Sequence, residues 1–278
     1  LSVFSVKKAL HILIVTLFLG ILSSYTISIM SGVLLFLEKS FELNIVLKQQ
    51  IVSISILGAL SGVFSSGFIS DWMGRKKAII LASFFYLLSS LVSSYADSIY
   101  ELMVGRFLAG IGVGITSVAI PLYLAEISPS KNRGAIVTFY QLSVTIGILV
   151  AYFTNWALSN TENWRAAFFI PFVITCFAGV FLFFIPGTIV KKTTYHQGMV
   201  KKGLLVAIFL PLFQQFTGIN TIIYYGPIIF NLAGFSGLSS GLLATLGIGI
   251  VNVIATVFAL FWIDRVGRKK LLIIGLFG

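Results

Sequence analysis

"SDWMGRKKAII" runs from Ser70 to Ile80, and "IDRVGRKKLLI" runs from Ile263 to Ile273. One block, Asp-x-x-Gly-Arg-Lys-Lys, is thus written twice, with Asp71 and Asp264 lying 193 positions apart. Charged residues make up only 10% of the chain and hydrophobic residues 58%. An ordinary soluble domain is about 25% charged. Most of this chain therefore avoids water, and a repeated charged block stands out against it.

The stretches between charges set the class. Apolar runs cover 9–37, 49–70, 78–96, 107–125, 134–161 and 166–190, and a longer one covers 203–263. About 20 helical residues cross the hydrocarbon of a bilayer. The run 203–263 is too long for one crossing, and its soft "NLAGFSGLSSG" stretch, Asn231 to Gly241, predicts two helices there. Residues 271–278 open a ninth span, inside which the sequence given stops. One or two such runs fit the core of a soluble protein, but eight in succession do not. The first run is also too long for a cleavable leader and is followed by further spans.

The net charge of +11 invites a nucleic-acid reading, which its distribution argues against. The N-terminus, the Asp71–Lys77 loop, the Glu126–Arg133 loop, the 191–202 segment and the Asp264–Lys270 loop are each net basic. The loops between them are neutral or acidic. That alternation is what the positive-inside rule demands, and it predicts a cytoplasmic N-terminus in a cell membrane, plasma or bacterial inner. No basic patch interleaved with aromatics is left over for nucleic acid. Cys176 lies alone in an apolar span and reads as a packing residue. His11 and His196 have no carboxylate cluster nearby in the sequence, so neither a metal site nor a cofactor is expected. Without a nucleophile paired to a base or a phosphate-cradling loop, an enzyme is not expected either.

The two charged blocks follow the second and eighth spans, six spans apart and on the same side. An even separation preserves orientation, so the repeat is parallel. Two six-span halves related by an axis along the membrane normal are the architecture of the major facilitator transporters. Gly74 and Gly267 suit a tight turn, and Asp71 and Asp264 can pair with Arg75, Arg268 and the lysines across it.

Longer motifs carry a closer likeness. Gly67-x-x-x-Asp71-x-x-Gly74-Arg75-Lys76, "GRFLAGIGVG" from Gly105 and "PLYLAEISPSKNRG" from Pro121 are three of them. "QLSVTIGILVAY" from Gln141 and "QQFTGINTIIYYGP" from Gln214 to Pro227 are two more. Together they resemble the sugar porter branch of the major facilitator superfamily over nearly the whole chain, although Trp72 stands where that family prefers Arg or Lys. The resemblance implies an all-α integral membrane fold. It divides the chain into an N-terminal six-helix bundle over 1–190, a short cytoplasmic linker over 191–202, and helices 7, 8 and the start of 9 over 203–278. Helices ten to twelve are expected to be missing, which makes an absent remainder of the C-terminal half a further expected partner beside sugar and lipid.

Within that frame the buried amides matter most. Sugars present many hydroxyls, and amides both donate and accept. Gln141, Gln214 and Asn252 lie about 12 to 18 Å along their helices from the cytoplasmic charges, close to mid-bilayer. By resemblance Gln141, Gln214, Gln215, Asn220 and Asn252 bind substrate. On one straight helix Gln215 would point about 100° and Asn220 about 240° away from Gln214. A break near Gly218 is therefore expected, because only an interrupted helix turns Asn220 back toward a cavity. Tyr224 and Tyr225, with Pro227 as a joint, resemble an outer gate. Asp71, Arg75, Glu126 and Arg133, with Asp264 and Arg268 in the second repeat, are expected to form a cytoplasmic charge network that latches the inner side. Arg106 is an intramembrane charge and so a functional candidate. In proton symporters of the family an Asp follows the first-helix Tyr, whereas Thr26 follows Tyr25 here. The expected function is hexose or pentose transport by alternating access, with facilitated diffusion favoured over proton symport. Carriage of another small polar solute, or a truncated fragment that does not transport, are the other readings.

Overall fold

Hydrocarbon offers no partner to a free N–H or C=O, so a chain this apolar satisfies its backbone inside helices. The computed structural model describes residues 6–128, 133–187, 209, 212–235, 237–267, 270, 273 and 275, and its described elements are all helical. They are α1 (Val6–Ser28), α2 (Met30–Phe41), α3 (Ile45–Met73), α4 (Arg75–Ser94), α5 (Ile99–Ile127), α6 (Arg133–Ala157), α7 (Trp164–Leu182), α8 (Ile219–Leu232) and α9 (Leu238–Val266). A short helical stretch, 212–216, precedes α8. Seven of the described helices are long and apolar enough to cross a membrane.

α1 and α2 act as one span. Ile29 between them keeps right-handed helical angles, its N–H donates to Tyr25 at 2.9 Å, and its C=O accepts from Val33 at 3.2 Å. The helices generally reach beyond the uncharged runs, since those runs measure hydrocarbon alone and a helix continues into the headgroup region. α3 thus extends to Ile45 and Met73, and α5 begins at Ile99, which takes Arg106 well inside it. Three helices stop short of their runs: α4 at Ser94, α6 at Ala157 and, by the widest margin, α7 at Leu182, ahead of Pro186 and Gly187. At one end of the bundle Asn44, Ser98 and Asn163 each cap a helix, accepting from the N–H of Leu47, Glu101 and Ala166 at 2.8, 3.2 and 3.0 Å. Such caps satisfy donors that the first turn leaves free.

At the other end sits the repeated block. Gly74, between α3 and α4, has φ 86° and ψ 156°; Gly267, after α9, has φ 90° and ψ 145°. That region is essentially closed to residues with a Cβ. The two glycines therefore take the same backbone conformation, one that glycine permits.

Packing follows the small residues. α3 lies on α5 along a seam of Gly58, Gly62, Gly110 and Gly114, so close that an added Cβ at each would fall within 2.4 Å of a backbone oxygen across the seam. Ser66 adds a hydrogen bond from its Oγ to the C=O of Ile115, at 3.3 Å. In lipid, where apolar burial drives little helix association, close backbone approach of this kind supplies much of it. α1 packs on α6 and α7, with Gly20 against Ser143 and Gly147 against the Ile21 carbonyl. α4 packs on α5 and α7. From the later part of the chain, α9 packs on α6 and α8, with Gly249 against Tyr152 and Leu149. The expected linker, 191–202, lies outside the described residues.

Candidate functional site

The helical stretch 212–232 is interrupted. Thr217 and Gly218 form a turn, Gly218 adopts φ 74° and ψ 10°, and α8 starts at the next residue. Thr217 fills part of the gap, its Oγ1 donating to the Gln214 carbonyl at 2.6 Å. The left-handed residue resets the helix phase, so Asn220 swings toward Gln215 and its Nδ2 donates to the Gln215 Oε1 at 2.6 Å. The sequence asked for this break because no straight helix aligns those amides.

Gln215 and Asn220 line a cavity of ≈ 500 Å³ together with Thr221, Tyr224 and Tyr225. Its opposite wall comes from α1, α3 and α5, and includes Thr26, Ser55 and Arg106. Sequence reasoning missed Ser55 and Thr221. Ser55 was detectable: it lies one turn before Gly58 on the small-residue face of α3, where a hydroxyl is buried beside the seam.

Arg106 is 2% exposed. Its Nε donates to Ser55 Oγ at 3.2 Å and its Nη2 to the Thr26 carbonyl at 2.7 Å, while the Phe168 ring lies 5.7 Å from its guanidinium carbon. Buried cations need such hydrogen bonds to be tolerated at all. Tyr224 is buried in the same cavity. Below it Gly226 approaches Thr245 of α9 closely, and Pro227 sits inside α8.

The remaining amides lie elsewhere. Gln141 lines a second cavity of ≈ 820 Å³, among Ser23, Ser117, Pro121, Tyr140 and Thr256. Ile27 and Val113 line both cavities, which therefore adjoin. Asn252 lines a smaller space of ≈ 230 Å³ between α6, α8 and α9, which touches the second cavity at Ala255. Gln214 is exposed and lines none of these three. One cluster thus holds Gln215, Asn220, Tyr224 and Tyr225, with Gln141 and Asn252 displaced from it toward α6 and α9.

At the end that carries the repeated block, Arg75 is the hub. Its Nη1 donates to Asp71 at 2.6 Å and its Nε to Glu126 at 3.0 Å, joining the α3–α4 turn to the end of α5. Lys76, which the sequence offers as a partner for Asp71, reaches instead for the carbonyls of Phe183 and Ile185, at 3.2 and 2.7 Å. Those carbonyls are free because α7 ends just before them. The Tyr123 hydroxyl donates to the Pro186 carbonyl at 3.0 Å, tying the same region to α5. The side chains of Arg133 and Asp264, and the whole of Arg268, lie outside the described residues. The opposite end carries ion pairs that the sequence reading assigned no part: Lys39 with Glu162, Glu38 with Lys48 at 2.6 Å, and Asp97 with Arg165 at 3.2 Å.

Apolar helices surrounding a cavity of hydroxyls, amides and one buried cation define a multi-pass membrane protein of the major facilitator fold. Solved structures share it. The xylose transporter XylE from E. coli, in a partially occluded inward-open conformation, superposes with a TM-score of 0.81 at 24% identity, over 96% of this chain and 76% of that one. XylE bound to 6-bromo-6-deoxy-D-glucose gives 0.82 at 22% identity, over 96% and 72%. The chain belongs to the sugar (and other) transporter family, whose family model matches residues 12–199 and 188–278. Among its relatives are the glucose transporter GlcP of Staphylococcus epidermidis, 31% identical over 93% of this chain and 67% of that protein, and the D-xylose transporter of Levilactobacillus brevis, 33% identical over 93% and 66%. The probable metabolite transport protein CsbC of Bacillus subtilis is 34% identical over 93% and 65%. The chain spans about two thirds of the length of these relatives.

Proposed function

We propose that this protein binds a hexose or pentose and carries it across a cell membrane by alternating access. The supporting observation is the Gly218 break, which joins Gln215 to Asn220 in a cavity also lined by Tyr224 and Tyr225. Hydroxyl-rich solutes need donors and acceptors that are held in place, and an amide pair already hydrogen-bonded together is held. Relatives named for glucose and xylose fit that chemistry.

In this proposal Gln215 and Asn220 grip the solute first, with Gln141 in the adjoining cavity as a second station and Gln214 and Asn252 as flanking amides. Tyr224 and Tyr225 close one side. The Asp71–Arg75–Glu126 network, with Arg133 and its counterparts Asp264 and Arg268, latches the other. The basic loops and the N-terminus face the cytoplasm, since the described charges sort that way by end. Residues 1–190 and 203–278 move as two bodies joined by 191–202. Facilitated diffusion is favoured over symport because Thr26 follows Tyr25 and, among the described residues, the lining of the Arg106 cavity is hydroxyl, amide and aliphatic. The relative named as a galactose-proton symporter, at 30% identity, leaves the opposite mode as the outcome to test for.

The test is uptake of labelled glucose and xylose into vesicles containing the chain, beside equilibrium binding in detergent. Asn220→Ala removes one amide and leaves Gln215 without its partner. Losing one or two hydrogen bonds of about 1 kcal/mol each lowers affinity roughly tenfold. Unchanged sugar binding by Asn220→Ala would remove the amide pair from the site.

A further inference from the structure

A neutral sugar makes no use of the charge on Arg106. That side chain is 2% exposed and is held by one hydroxyl, one backbone carbonyl and one aromatic face. These are dipoles and a ring quadrupole; none supplies a countercharge. Among the described residues the ion pairs involve Asp71, Glu126, Glu38, Glu162 and Asp97, and Arg106 joins none of them. Leaving a buried cation unpaired costs several kcal/mol. Two of the five guanidinium donors, one on Nε and one on Nη2, are committed among the described residues. The side chain also lines the ≈ 500 Å³ cavity, whose other polar groups are hydroxyls and amides. A volume of that size falls within the range of ordinary ligand pockets, about 300–1,000 Å³.

We propose that this cavity takes a monovalent anion against Arg106: a carboxylate borne by the solute, or a chloride ion seated beside a neutral sugar. The proposal rests on the cavity's being the solute site. A single negative charge matches a single buried guanidinium, whereas a doubly charged phosphate would leave one charge uncompensated. The guanidinium fork suits a carboxylate particularly well, since two parallel N–H bonds meet its two oxygens. Gln215, Asn220 and the Tyr224 and Thr221 hydroxyls remain for the ring hydroxyls, so the sugar contacts and the anion contact do not compete.

The experiment compares equilibrium binding of glucose and glucuronate to the purified chain, in sodium chloride and in sodium sulfate of equal ionic strength. Glucuronate bound at least tenfold more tightly than glucose in both salts identifies the solute carboxylate. Glucose bound at least tenfold more tightly in chloride than in sulfate identifies the free ion. Arg106→Gln, which keeps hydrogen bonds and removes the charge, abolishes whichever difference is seen. Should that variant fail to fold, the ligand and salt comparison on the unaltered chain decides alone. Equal binding of glucose and glucuronate with no dependence on the salt overturns the anion and leaves a neutral-sugar site. Binding of neither sugar, with no thermal stabilisation by chloride, overturns the anion and the sugar reading together.

Discussion

Gly110→Ala should loosen the α3–α5 seam and the cavity beside it. A Cβ there would stand 2.2 Å from the Ser55 carbonyl oxygen, 2.8 Å from the Ala59 nitrogen and 3.0 Å from the Gly58 carbonyl carbon. Ordinary contact begins near 3.4 Å, so the helices must part by about 1 Å. All three atoms are backbone, and no rotamer change moves them out of the way. Overpacking of this kind costs about 1–3 kcal/mol, while alanine in place of glycine in a helix returns up to about 1 kcal/mol. Gly179→Ala in α7 is the control, since nothing lies within 4 Å of its Cβ. Both variants gain the same propensity, so their difference isolates the clash, at about 1–3 kcal/mol. Equilibrium unfolding in mixed detergent–SDS micelles measures it. Ser55 also accepts from Arg106 at 3.2 Å, and a further ångström breaks that bond, so Gly110→Ala should weaken ligand binding where Gly179→Ala does not. Equal stability of the two variants, or a destabilised Gly110→Ala with intact binding, would refute the link from seam to site.

Gly218→Ala meets no steric obstacle from neighbours, so its cost is that of a left-handed backbone alone, about 1–2 kcal/mol, and sugar affinity falls with it as α8 rotates. Circular dichroism should report unchanged or higher helicity. Glu126→Gln keeps the shape of the Arg75 network and removes one of its charges; because Glu126 is a third exposed, the stability change stays below about 1 kcal/mol. Accessibility of a reporter cysteine at either end of the cavity should nonetheless shift toward the state open at the Arg75 side, and an unchanged distribution would remove the latch. Sugar added to cells or vesicles carrying the chain should produce no alkaline shift of the medium, and a shift in step with sugar entry would establish proton coupling.

What could be read in advance depended on the kind of constraint. The spans were legible because hydrocarbon forbids charge, and the repeated turn because Asp and Gly return together at Asp71–Gly74 and Asp264–Gly267. The break at Gly218 followed from geometry, since the amides of a straight helix diverge. Helix ends were less legible, as at α7, where the apolar run continues to residue 190 but the helix stops at Leu182. Partners of side chains were least so. Lys76 turns to carbonyls that only the early end of α7 exposes, and Ser55 gains its importance from an arginine 51 residues away. The separation of Gln141 and Asn252 from the Gln215–Asn220 pair depends on how α6, α8 and α9 pack, which no spacing along one helix encodes.

Ile27 and Val113, the two side chains common to both large cavities, put branched hydrocarbon where those cavities adjoin. Neither side chain can donate or accept a hydrogen bond, so neither adds a station to a proton relay between the two. On the proposed function, a solute passing from one cavity to the other would meet only weak, non-directional contact from these two side chains and so would not be held there.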